Sequence, residues 1–211
     1  MTDLLIAHRL VPVVVLDDAA GAAPLAAALL AGGLPIAEVT LRTPAALESI
    51  AVMARETDLV VGAGTVTRAE DVGRVIEAGA RFVVSPGFSA AVVRECQTLG
   101  IPVLPGVATA TELQMALDVG IDTVKFFPAE AAGGVAVVKA LAAPFPAVRF
   151  VPTGGISEAN LASYLDVSAV VAVGGSWMVA PTLLRARDFD QVTALTKQAC
   201  ATVGSLARRD T

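Results

Sequence analysis

Two short stretches hold residues that can do carbonyl chemistry. In Thr123-Val124-Lys125-Phe126-Phe127-Pro128 a single cation stands in a run of strand-favouring side chains, with Asp122 and Glu130 as polar flanks and Pro128 closing the run. Lysine is rarely buried without a partner, and apolar surroundings disfavour its charged form. A neutral amine is a nucleophile that can form an imine with a ketone. The alternative is a lysine at an exposed strand end with its ammonium in water. In the second stretch, Glu38, Thr40 and Arg42 alternate with Val39 and Leu41, so a period of two puts the three polar side chains on one face. An amine and a carboxylate in one cleft suit a carbonyl lyase: the imine absorbs electrons and the carboxylate moves protons. The structural alternatives are a Glu38–Arg42 ion pair inside a barrel and a plain Lys125–Glu38 salt bridge.

The elements that must position these residues follow from hydrophobic runs and helix stops. Strands are expected over Val11–Leu16, Ile36–Arg42, Leu59–Thr65, Phe82–Ser85, Ile101–Leu104, the Lys125 run, Val148–Val151 and Ala169–Val173. Helices are expected between them, near Ala22–Ala31 with a stop at Gly32, and from Pro44 to Arg55 with Thr43 as N-cap. Thr67, Ser89 and Ser157 read as caps of helices ending at Ala78, Leu99 and Leu165. Further helices are expected over Ala110–Val119, Val135–Leu141 and Phe189–Leu206. Strand and helix alternate about eight times with a period of roughly 20–25 residues, which points to a parallel sheet closed as a (β/α)8 TIM barrel. An open doubly wound sheet is the runner-up. The 211 residues show no linker or composition shift, so one domain spanning 1–211 is expected.

A barrel gathers its active residues at the C-terminal ends of the strands. Thr153-Gly154-Gly155 and Gly174-Gly175-Ser176 follow strands seven and eight, where barrels commonly bind phosphate. Backbone N–H groups freed of side chains can close on an anion there, with Thr153 and Ser176 adding hydroxyls. Two tight turns needing positive φ would look the same. Gly62-Ala63-Gly64 is only half of a dinucleotide fingerprint, because Thr67 stands where the third glycine belongs.

Composition excludes several classes. The chain is 55% hydrophobic and 17% charged with a net charge of -5, which argues against disorder and against a nucleic-acid partner. The uncharged stretches 19–37 and 168–184 are broken by glycine and proline, so no membrane span is expected. Met1–Arg9 lacks the pattern of a signal peptide, and Cys96 and Cys200 show neither metal nor redox spacing. A reduced, cytoplasmic protein is the expectation. His8 is the single histidine, no ligand spacing links the acidic residues, and no metal or other cofactor is expected. Cys96 reads as packing within a helix.

In order along the chain, Glu38-Val39-Thr40-Leu41-Arg42, Gly62-Ala63-Gly64-Thr65, Ser85-Pro86-Gly87, Lys125-Phe126-Phe127-Pro128-Ala129-Glu130, Pro152-Thr153-Gly154-Gly155-Ile156 and Gly174-Gly175-Ser176-Trp177 resemble the 2-keto-3-deoxy-6-phosphogluconate aldolase family. These are class I aldolases that also act on 4-hydroxy-2-oxoglutarate. The resemblance implies a metal-free barrel, usually a homotrimer. It implies Lys125 as the Schiff-base lysine and Glu38 as the general acid/base. Arg42 and Thr65 would hold the pyruvyl carboxylate, and Pro86 and Phe127 would line the pocket. Thr153 and the loops at Gly154-Gly155 and Gly175-Ser176 would take the phosphate of a phosphorylated keto acid. Rival functions are the aldolase for the galactonate epimer, a phosphate-gripping isomerase in which Glu38 shuttles protons, and a phosphosugar-binding module without turnover.

Overall fold

Strands that are apolar on both faces must be covered on both, and a closed barrel does so with a packed interior and an outer ring of helices. The computed structural model describes residues 2–207; Met1 and 208–211, where the expected domain ends fall, lie outside them. The first half of the chain runs α1 (Thr2–His8), β1 (Leu10–Val14), α2 (Ala22–Ala31), β2 (Ile36–Thr40), α3 (Ala46–Glu56), β3 (Val60–Gly64), α4 (Glu70–Glu77), β4 (Val83–Val84) and α5 (Ala90–Thr98). It continues with β5 (Val103–Leu104), β6 (Gly106–Val107), α6 (Ala110–Asp118), β7 (Thr123–Phe126), α7 (Gly134–Ala142), β8 (Arg149–Pro152), α8 (Glu158–Leu165), β9 (Val173–Gly175), α9 (Pro181–Ala186) and α10 (Phe189–Ala207).

Every strand pairing is parallel. Six strands lie in the order β5-β4-β3-β2-β1-β9 and three in the order β6-β7-β8. β5 and β6 are one stave interrupted at Pro105, which has no N–H to give the ladder but accepts from Lys125 N at 2.9 Å. Bridges Phe150–Val170 and Thr153–Gly174 join the β8 segment to the segment that leads into β9 and to β9 itself. The nine segments therefore make eight staves. β1 lies between β2 and β9, which makes the first and last strands neighbours, and this decides for a closed barrel over an open sheet.

The outer ring packs closely because its inner helices are small-residue rich. Leu25, Ala26 and Leu29 of α2 are fully buried, each leucine contributing about 1.5–3 kcal/mol by its burial. A Cβ at Gly32 would overlap Thr196 of α10, so glycine there sets the approach of the two helices. Among the described residues no helix is long and apolar enough to cross a membrane.

Several expected details are corrected. α3 starts at Ala46 with no side-chain cap, and Thr43 instead donates its hydroxyl to Leu16 O at 2.5 Å, tying the loop after β2 to the end of β1. α4 starts at Glu70, again without a side-chain cap, so Thr67 lies ahead of the helix and does not cap it. Ser89 and Ser157 do cap their helices, Ser157 in a capping box with Asn160. The eighth strand is Val173–Gly175 and not Ala169–Val173, because continuous pairing with β1 begins only where Leu10 meets Val173. The short helices α1 and α9 were not expected from the sequence.

Candidate active site

β2 reads Ile36-Ala37-Glu38-Val39-Thr40 and is buried at every position, as is β7 with Thr123-Val124-Lys125-Phe126. Burial on both faces forces Glu38 and Lys125 to find partners inside the barrel. They find each other. Lys125 Nζ donates to Glu38 Oε1 at 3.1 Å and Oε2 at 3.4 Å, with the two residues 5% and 3% exposed. In the eight-stave order three staves separate β2 from β7 in either direction, so the pair spans the full width of the barrel. Room for it comes from Gly64, the ladder partner of Thr40, since a Cβ at 64 would overlap the Glu38 carboxylate. Nζ also sits 5.3 Å from the centroid of the Phe127 ring, within cation–π range. The expected alternation of Glu38, Thr40 and Arg42 stops at Thr40, where β2 ends. Arg42 is exposed and forms no salt bridge among the described residues, so the Glu38–Arg42 pair does not form.

A cavity of about 220 Å³ opens at the C-terminal ends of the strands, with Phe127, whose ring Lys125 approaches, in its wall. Arg42, Phe127, Thr153, Gly154, Gly155, Gly175 and Ser176 line it together. The Gly154-Gly155 turn takes φ +99° and +80°, a conformation that side chains resist. Its carbonyls are turned away from the cavity's chemistry: Gly154 O accepts from Glu130 N at 3.0 Å and Gly155 O from Asn160 Nδ2 at 3.0 Å. The N–H groups of Gly155 and Ile156 and the Ser176 hydroxyl donate to no acceptor among the described residues. The turn is thus tight and at the same time leaves donors free, with Arg42 in the same cavity wall.

Four of the expected site residues do not line this cavity: Lys125 and Glu38, whose buried pair touches its wall only through the Phe127 ring, and Pro86 and Thr65. Pro86 lines a neighbouring cavity of about 250 Å³ with Val66, Thr67 and Ser85, and its carbonyl abuts Gly106, the ladder partner of Lys125. Thr65 follows Gly64 at the end of β3 with φ +58°. A β-branched residue in the left-handed region is strained by about 1–2 kcal/mol. Thr65→Gly relieves that strain, and the expected result is an unfolding free energy higher by about 1 kcal/mol in urea titration. A loss of stability instead would show that the position is not strained.

Some cavity residues escaped the sequence reading. Val13 and Val15 line it from the end of β1, and their period-two spacing could have flagged them. Val179 and Pro181 come from the segment after β9, which carried no motif. Cys96 is fully buried, and its thiol is pushed up to about 11, first by burial and then by the charge of Glu95, which suits packing and not nucleophilic attack. No cluster of three or more His, Cys, Asp or Glu side chains is grouped for a metal ion among the described residues.

Residues 1–195 match the family described as "KDPG and KHG aldolase". The chain belongs to that family. It is 52% identical over 197 residues to the 2-dehydro-3-deoxy-phosphogluconate aldolase of Treponema pallidum, covering 93% of this chain and 94% of the relative. Among solved structures, the 2-keto-3-deoxy-6-phosphogluconate aldolase of Zymomonas mobilis ZM4 with 3-phosphoglycerate superposes with a TM-score of 0.91 at 44% identity, over 95% of this chain and 94% of that one. The KDPG aldolase of Legionella pneumophila, with pyruvate captured at low pH as a covalent carbinolamine intermediate, superposes with a TM-score of 0.90 at 40% identity, over 94% and 97%. For this family member, the resemblance seen in the sequence motifs therefore extends over nearly the whole fold.

Proposed function

We propose that the protein is a class I aldolase that cleaves 2-keto-3-deoxy-6-phosphogluconate to pyruvate and D-glyceraldehyde 3-phosphate, and also cleaves 4-hydroxy-2-oxoglutarate to pyruvate and glyoxylate. The observation that carries this reading is the Lys125 amine 3.1 Å from the Glu38 carboxylate, both buried inside a closed barrel.

Lys125 adds to the 2-keto carbon, and loss of water leaves a protonated imine. Glu38 takes the proton of the 4-hydroxyl, the bond between carbons 3 and 4 breaks, and the imine absorbs the electron pair as an enamine. The aldehyde product leaves. Glu38 returns a proton to carbon 3, and water adds to the imine to release pyruvate and the free amine. Arg42 and Thr65 hold the carboxylate, the planar guanidinium matching its two oxygens. Phe127 and Pro86 wall the keto acid, and Thr153, Gly154, Gly155, Gly175 and Ser176 receive the phosphate. Supporting the last assignment are the unpaired N–H groups of the Gly154-Gly155 turn beside Arg42. The same proposal takes residues 1–211 as one aldolase domain, a homotrimer as the assembly and the cytoplasm as its place.

Incubation with pyruvate, reduction with borohydride and mass analysis of the digest tests the reading. A reduced pyruvyl adduct on the peptide that holds Lys125 is expected. Folded protein without any adduct would remove the imine mechanism and favour the proton-shuttling isomerase.

A further inference from the structure

Glu130 stands beside the phosphate turn, and the mechanism gives it no role. Its backbone N–H donates to Gly154 O at 3.0 Å, while the preceding residue, Ala129, donates to Thr153 O at 2.8 Å. Its aliphatic stem lies over Gly155, where a Cβ would come within 2.6 Å of Glu130 Cγ. Its carboxylate Oε1 accepts a hydrogen bond from the Tyr164 hydroxyl. Tyr164 is fully buried in α8, so a core side chain reaches out to hold a surface carboxylate. Asn160, four residues earlier on α8, grips Gly155 O from the same helix. The turn is thus clamped at both carbonyls and along one flank, and each clamp leads back to α8 or to the segment after Lys125.

We propose that Glu130 and Tyr164 are positioning residues that keep the Gly154-Gly155 turn in its anion-binding form and so set the preference for phosphorylated over unphosphorylated keto acids. The inference rests on the phosphate assignment above and goes beyond it. Two physical effects act together. Holding the Glu130 stem against Gly155 fixes the direction of the free N–H groups before substrate arrives, which lowers the cost of ordering them on binding. Holding the carboxylate against Tyr164 also keeps a negative charge from turning into the cradle, where it would compete with phosphate for the same donors. Burial, and then the bond to Glu130, push the Tyr164 phenol above its ordinary range, so it remains a hydrogen-bond donor wherever the enzyme is folded.

The test compares a phosphorylated substrate with a readout that needs no phosphate. Tyr164→Phe keeps the ring in the core and removes the hydroxyl. The expected result is an increase of about tenfold in KM for 2-keto-3-deoxy-6-phosphogluconate with kcat nearly unchanged. The pyruvate concentration that half-saturates borohydride trapping stays within about twofold of wild type. Glu130→Ala gives the same split, whereas Glu130→Gln, whose amide oxygen still accepts from Tyr164, keeps most of the wild-type KM. Parallel losses in both readouts, or no change in either, would overturn the positioning role. If Tyr164→Phe does not fold, the two surface variants at Glu130 decide the matter. A wild type that fails to cleave the phosphorylated substrate or to trap pyruvate would instead defeat the underlying aldolase reading, before any variant is compared.

Discussion

Lys125→Met is expected to abolish the pyruvyl adduct and to lower turnover by at least about a thousandfold, because the covalent route through the imine is gone. It is also expected to cost stability. Glu38 is left charged and alone in the barrel, and breaking a buried pair from one side typically destabilises by about 3–5 kcal/mol. The two effects separate in the double variant. Lys125→Met with Glu38→Leu removes both charges and fills their space with apolar atoms, and most of the lost stability should return while activity stays absent. Urea unfolding of the single and double variants measures the first effect, and trapping with turnover measures the second. Wild-type turnover in Lys125→Met would end the assignment of the nucleophile. A double variant no more stable than the single one would mean that the pair holds the barrel in some way other than mutual charge compensation.

Glu38→Gln separates proton transfer from imine formation. The amide keeps the shape of the carboxylate, and Gly64 leaves the same room for it. With the nucleophile intact, the pyruvyl adduct should still accumulate on long incubation with excess pyruvate. Cleavage needs a base for the 4-hydroxyl, so kcat should fall by about 10²–10⁴. Turnover within a few fold of wild type would remove Glu38 from the proton-transfer role and leave it as the structural counter-ion of Lys125.

Much of this architecture is legible in the residues, for reasons that can be named. Apolar runs such as Val11–Leu16 must be covered on two faces, so they announce parallel strands. A lysine in the middle of such a run needs a partner if it is buried, and so does a glutamate at Glu38, but only the fold shows that each is the other's partner. The caps were less legible. Thr43 has the right chemistry for an N-cap, but a carbonyl of the neighbouring strand, Leu16 O, competes for its hydroxyl, and that contact lies 27 residues away in sequence. A period of two puts Arg42 on the strand face, but that period holds only as far as the ladder does; β2 ends at Thr40, and Arg42 lines the cavity at the strand ends. The Glu130–Tyr164 clamp spans 34 residues with no motif joining them, so only the fold brings it into view.

The barrel's two seams have a further consequence. Glu38 belongs to the six-stranded sheet and Lys125 to the three-stranded one, and the backbone joins the sheets at Pro105 and at the Phe150–Val170 and Thr153–Gly174 bridges. The distance between amine and carboxylate is therefore a caliper across the closed ring. In a chain with either seam open the two side chains would no longer be held against each other. If Lys125 is the nucleophile proposed, a trapped adduct on its peptide is expected to report a barrel that has closed.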